Sequence, residues 1–346
     1  MKLLSLFLFG APLAGVLASP CTPPGPTWST LPPIALAPRQ EHVAVALTPT
    51  SLAIFGGIVP AEDWWPTVPV LQIYDIPSQT WRRAADAPKG LNHPNAAVVN
   101  GKIFLLGGLK EVTPTDLAWR PTNESWVYDP ATDIWSSLPP LPVTDVARGS
   151  AAMGVFGHII FLAGGITQTP FDPALGEQES VDDVSAFDTK TNTWINLPAK
   201  AKKIPAARDH AGAAVVGNKF YILGGRDHGQ NNVRDTVFEL DFKNLQKGWV
   251  VKKGKMPTAR GGVVAAAVGK NIYTIGGEGN PKNGTEGVFP QVEAYDTTKD
   301  KWEKLPDMQV PRHGTSAVAL GGGIYIPGGG VKQGGAPVDV FDVFWP

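Results

Sequence analysis

Six Gly-Gly pairs close short apolar runs along the chain, at Gly56-Gly57, Gly107-Gly108, Gly164-Gly165, Gly224-Gly225, Gly276-Gly277 and Gly328-Gly329, and two columns of chemically capable residues stand at fixed distances before them. Sixteen residues before the first glycine lie Gln40, Leu91, Arg148, Arg208, Arg260 and Arg312; fourteen before it lie His42, His93, Ser150, His210, Gly262 and Gly314. A guanidinium presents donors in a planar fork that fits a carboxylate, a polyol or an acidic segment of a partner. Buried arginine is usually paired, so the same column can instead tie each repeat to the next through backbone carbonyls. Both readings stay open. His42 and His93 fall in adjacent repeats and His210 two repeats further on, so a metal set drawn from all three is not expected, and no resident cofactor is expected either.

The segments after the glycines add a second chemistry. The first holds Glu62, Asp63, Trp64 and Trp65, the second Asp116, Trp119 and Arg120, and the third Phe171, Asp172, Glu177 and Glu179. Ring faces beside carboxylates and arginines suit stacking and hydroxyl recognition of a sugar. Alternatively the tryptophans fold each long loop down onto the molecule as a small core of its own.

The elements that position these groups are read from the repeat itself. Each of the first five glycine pairs is followed by an aromatic or leucine joined to aspartate (Tyr74-Asp75, Tyr128-Asp129, Phe187-Asp188, Leu240-Asp241, Tyr295-Asp296) and then by one tryptophan (Trp81, Trp135, Trp194, Trp249, Trp302). Glycine permits positive φ where a strand leaves into a loop, and aspartate bonds the backbone of a tight turn. A period near 50 residues with strand-sized runs between punctuators predicts four-stranded propeller blades. The sixth repeat stops before its tryptophan strand, while Trp28-Ser29-Thr30-Leu31-Pro32 precedes the first and reads like Trp135-Ser136-Ser137-Leu138-Pro139. The N-terminal strand is therefore expected to complete the last blade and remove the open edges. The chain resembles the kelch-repeat family over residues 19–346, which implies an all-β, six-bladed propeller as a single domain.

In kelch interaction domains the segment leading into each blade meets peptide ligands through arginines, so the resemblance implies a site at the channel mouth that includes Arg148, Arg208, Arg260 and Arg312. Relatives also include enzymes. Galactose oxidase needs a cysteine joined to a tyrosine for its copper chemistry, whereas the sole cysteine here, Cys21, lies outside the blades. The specifier proteins use Glu-x-x-x-Asp-x-x-x-His for iron; Glu179 and Asp183 match that spacing, but Phe187 stands at the third position. The fourth repeat is similar to secreted sialic-acid mutarotases. Arg234 matches their arginine, Arg226 stands where their glutamate is expected, and Glu278 is the acid that directly follows a glycine pair one repeat later. The functional expectation is a binding module for protein or glycan ligands, with a carbohydrate-active isomerase or oxidase-like enzyme as the alternative.

Residues 1–18, with Lys2 ahead of the apolar run Leu3 to Leu17, read as a secretory signal. Sequons at Asn123 and Asn283 fit a secreted glycoprotein. One cysteine means no internal disulfide framework. With 30 basic and 31 acidic residues and a formal charge of −1, no global field attracts nucleic acid or an anionic membrane, and a monomer is expected.

Overall fold

The computed structural model describes residues 25–61, 66–111, 118–170 and 178–346. Leader residues 1–18, Cys21 and the loop tryptophans Trp64 and Trp65 lie outside them. Six antiparallel sheets form the blades of a β-propeller. Blade 1 runs Val43–Thr48, Ser51–Phe55, Leu71–Asp75 and Thr80–Arg83 from the axis outward. The inner strands of blades 2 to 6 are Ala96–Val99, Ala152–Phe156, Gly212–Val216, Val264–Val268 and Val318–Leu320. Among the described residues no helix is long and apolar enough to cross a membrane.

The middle strands carry the core because both their faces meet neighbouring blades. Ser51–Phe55 and Leu71–Tyr74 are buried throughout, as are their counterparts Ile160–Ala163 and Val184–Phe187. Inner strands are rich in alanine and valine, since six of them crowd one axis. Outer strands are held by tryptophan. In five blades the indole packs on the aromatic of the third strand, with Trp81–Tyr74 at 4.9 Å, Trp135–Tyr128 at 5.2 Å and Trp302–Tyr295 at 5.0 Å between centroids, and in blade 4, where Leu240 stands there, Trp249 packs on Phe220 at 5.7 Å. Each also donates Nε1 to a carbonyl beyond the preceding blade, as in Trp135 to Ala85 at 2.9 Å and Trp302 to Gly254 at 3.0 Å.

Closure follows the expected route. Thr27–Thr30 pairs antiparallel with Phe341–Trp345, setting Trp28 opposite Phe344, and Trp28 Nε1 reaches Pro306 O of blade 5 at 3.4 Å. The glycine pairs join blade to blade. Gly165 N donates to Arg208 O at 2.7 Å and Gly277 N to Arg312 O at 3.1 Å, so the second glycine of one blade bonds the lead-in backbone of the next. The first glycine must be glycine for a steric reason: at Gly164, φ is +64° and a Cβ would stand 2.3 Å from Arg208 O.

Candidate functional site

The arginine column is placed inside the blades. Arg148, Arg208, Arg260 and Arg312 are each buried to within 3% of full exclusion, and their forks are used within their own blade. Arg148 donates Nε to Gly164 O at 2.7 Å and Nη2 to Leu162 O at 3.0 Å; Arg312 donates Nε to Gly328 O at 2.7 Å and Nη1 to Asp342 Oδ2 at 2.9 Å. Arg260 pairs Glu293 at 2.7 Å with both side chains fully excluded, and Arg208 lies 5.0 Å over the Phe238 ring. Neither expectation from the sequence describes this: the forks do not ring the channel mouth, and they bind the lead-in segment to its own second and third strands. The bond to the next blade is made by backbone.

A one-residue irregularity in blade 1 shifts its columns. The register of Val43–Thr48 against Ser51–Phe55 slips between Ala46 and Thr48, making that hairpin one residue longer than its counterparts. Arg39, buried and donating to Gly56 O at 3.3 Å, therefore takes the arginine position in place of Gln40, and Glu41 takes the place assigned to His42. The corrected column, Glu41, His93, Ser150, His210, Gly262 and Gly314, has φ between +49° and +60° at every position. This left-handed turn starts each inner strand at the axis. His42 is turned away between blades, its Nε2 2.9 Å from Pro327 O, and burial first, then Arg39, pull its pKa down to about 3.

At the axis the separation of the histidines disappears. His93 and His210, two blades apart, meet edge to face at 4.8 Å between centroids, and both face Glu41 Oε2, at 3.2 Å from His93 Nε2 and 3.7 Å from His210 Nε2. One ligand atom from each of Glu41, His93 and His210 lies within 4.8 Å of the others. In two blades the residue just before the column position, Asp209 and His313, adds to the group. Asp209 accepts from His210 Nδ1 and from Arg226 Nε at 2.9 Å; Arg226 also pairs Glu278, and its Nη2 is 3.2 Å from His210 Nε2. His313 sets Nδ1 at 3.6 Å from Glu41 and 3.5 Å from Glu278. Thus Arg226 and Glu278, in adjacent blades, form one buried ion pair.

The electrostatics keep the carboxylates charged. Burial pushes Glu41 up, but His93, His210, His313 and Arg226 outweigh it and hold it at about 2. Burial likewise opposes, and Arg226 with its histidine neighbours overcomes, the ionisation of Asp209 and Glu278, both held below the usual range. Burial takes His93 down to about 4 against the pull of Glu41. The group therefore holds three carboxylates and one guanidinium.

Below it lies a cavity of about 290 Å³ lined by Glu41, His93, Ser150, His210 and the starts of the inner strands, and the channel continues between alanines and valines such as Ala46, Val98 and Ala267. Above it, loops lean over the axis. Gln333 bonds Asn231 at 2.8 Å across the mouth, Gly334 N donates to Glu278 at 2.9 Å, and the half-buried Trp119 stands 5.8 Å from His93.

Known proteins are similar to this chain in sequence. Residues 174–329 match the family model described as the KLHDC2/KLHL20/DRC7 Kelch-repeats domain, and residues 91–142 and 147–200 match the Kelch motif. "Kelch-like protein terF" of Aspergillus terreus (strain NIH 2624 / FGSC A1156) is 41% identical over 343 residues, covering 96% of this chain and 72% of that protein. The chain belongs to the kelch-repeat family. Beta-scruin of Limulus polyphemus is 25% identical over 82% of this chain and 29% of its own length, and Kelch domain-containing protein 3 of Bos taurus 25% identical over 70% and 64%.

On this kelch propeller the remaining described candidates fall outside the axial group. Arg234 is on the loop face, 35% exposed and 3.1 Å from Asp227, while Asn123 and Asn283 are exposed. Trp119 is the loop tryptophan that the structure describes, and its strand partner across the face is Thr169. Sequence reading missed Glu41, Asp209 and His313. Asp209-His210 and His313 were legible as chemistry-bearing residues beside the columns, but nothing in their spacing announces that they meet.

Proposed function

We propose that this kelch propeller is a secreted binding module that takes a protein segment or a glycan on its long-loop face. One observation carries the reading: loops of that face present hydrogen-bonding groups at the surface, Arg120, Glu179 and His228 exposed and Gln168 and Arg234 half-buried, whereas the arginine column is committed to the blades. Loops held on a rigid scaffold are where ligands are recognised. The test is a peptide and glycan array probed with the mature chain. A ligand of this face should bind His228→Ala with Arg234→Ala several-fold more weakly and leave the melting temperature unchanged; a ligand indifferent to that pair would place the site elsewhere. Secretion and glycosylation at Asn123 and Asn283 belong to the same reading, and recovery of a glycosidase-sensitive product from the medium tests them.

The alternative, a carbohydrate-active isomerase, draws on the axial convergence of Arg226, Glu278 and His210. Its test is sugar anomerisation. Because Glu278 is held below the usual carboxylate range, it stays ionised at neutral pH and is a weak base, which counts against proton shuttling through it.

A further inference from the structure

The tautomers of the axial histidines are set by their outer nitrogens. His93 Nδ1 lies 2.6 Å from Asn92 Oδ1, and the Asn92 amide nitrogen is engaged with Thr67 Oγ1 at 2.9 Å, so the amide oxygen accepts and Nδ1 carries the proton. His210 Nδ1 donates to the Asp209 carboxylate. A guanidinium can only donate, so the 3.2 Å approach of Arg226 Nη2 to His210 Nε2 marks that nitrogen independently as a lone pair. With the imidazoles neutral, both Nε2 lone pairs and Glu41 Oε2 converge on one point as acceptors. On the other side of Glu41, His313 Nε2 donates to Lys332 O at 2.8 Å, which leaves its Nδ1 a buried lone pair without a hydrogen-bond partner, facing Glu41 Oε1 and Glu278 Oε2. Acceptors gathered in a buried site repel unless a cation lies among them.

We propose that Glu41, His93 and His210 bind one divalent first-row transition-metal ion at the loop-face end of the axial channel, with its open coordination positions facing the cavity. Two imidazoles and a carboxylate form a ligand set suited to zinc and its neighbours. Outer nitrogens bonded to Asn92 and Asp209 supply the orienting partners that metal-bound histidines use. Charge agrees, because a divalent ion balances the excess of carboxylates over Arg226. On binding, Arg226 Nη2 releases the His210 lone pair, and Asp209 and Glu278 keep the guanidinium in place through Nε and Nη1.

The experiment titrates the metal-stripped full chain with Co²⁺, reading the visible absorption of the bound ion, and then displaces it with Zn²⁺. One equivalent should bind, and Zn²⁺ should raise the melting temperature of the stripped protein. Glu41→Gln, His93→Gln and His210→Gln should each weaken Co²⁺ binding by about tenfold or more, Asp209→Asn by about tenfold through loss of the orienting bond, and a change at the exposed His158, His158→Gln, not at all. Failure of the stripped wild-type chain to take up stoichiometric Co²⁺ would overturn the proposal, as would equal uptake by the Glu41→Gln and wild-type proteins.

Discussion

Arg312 makes four hydrogen bonds of 2.7 to 2.9 Å, to Gly328 O, Val310 O, Ile326 O and Asp342 Oδ2, in a site from which water is excluded. Lysine keeps the charge but loses the fork, so Arg312→Lys should leave two or more of these acceptors unsatisfied. The expected loss is about 2 to 4 kcal/mol in urea unfolding. A change under about 0.5 kcal/mol would mean that the column does not hold its blades. The arginines were legible in the sequence as a column, and their partners were not, because those partners are mostly carbonyls that any residue supplies. At blade 1 even the column was misread. A single extra residue in the hairpin moves Arg39 and Glu41 into the places that counting from the glycines assigns to Gln40 and His42, and only pairing partners reveal a bulge.

Neighbouring blades are also joined through aspartates at the tips of their outer hairpins. Asp300 Oδ1 accepts from Tyr295 Oη at 2.6 Å and from Gly254 N, beyond the preceding blade, at 3.0 Å; Asp133 does the same with Tyr128 at 2.7 Å and Ala85 N at 2.9 Å. Burial would raise the Asp300 pKa, but the Tyr295 hydroxyl and the Gly254 N–H outweigh it and hold it below its ordinary value. A folded pKa below the unfolded one contributes stability that is present above the ordinary aspartate range and is lost as pH falls through the folded value. Asp300→Asn should therefore be less stable than wild type at pH 7, with the gap narrowing as pH falls below about 4. Melting temperatures measured from pH 7 to pH 2.5 check this, and a gap independent of pH would assign the effect to shape alone. The aromatic-aspartate and tryptophan marks of these hairpins were readable because turn and strand are local; that the aspartate reaches across to the preceding blade was not.

For the whole molecule, the strand Thr27–Thr30 decides whether the ring has an edge. Deleting residues 19–32 should uncover Phe344 and the last blade's outer row of backbone groups, and the truncated chain should aggregate or melt at a markedly lower temperature. A monomeric product with unchanged melting would refute closure by this strand. Blade number, strand order and this closure were determined by the sequence alone, because glycine pair, aromatic-aspartate and tryptophan each answer to a constraint inside one blade and recur with it. Their repetition carries the architecture. The axial group was decided by tertiary structure. Glu41, His93, His210, Arg226, Glu278 and His313 are scattered across five blades, and sequence separation says nothing of their distance. Only the narrow radius of a six-membered ring, and the left-handed residue that starts each inner strand at its axis, bring carboxylates, imidazoles and a guanidinium within hydrogen-bonding range.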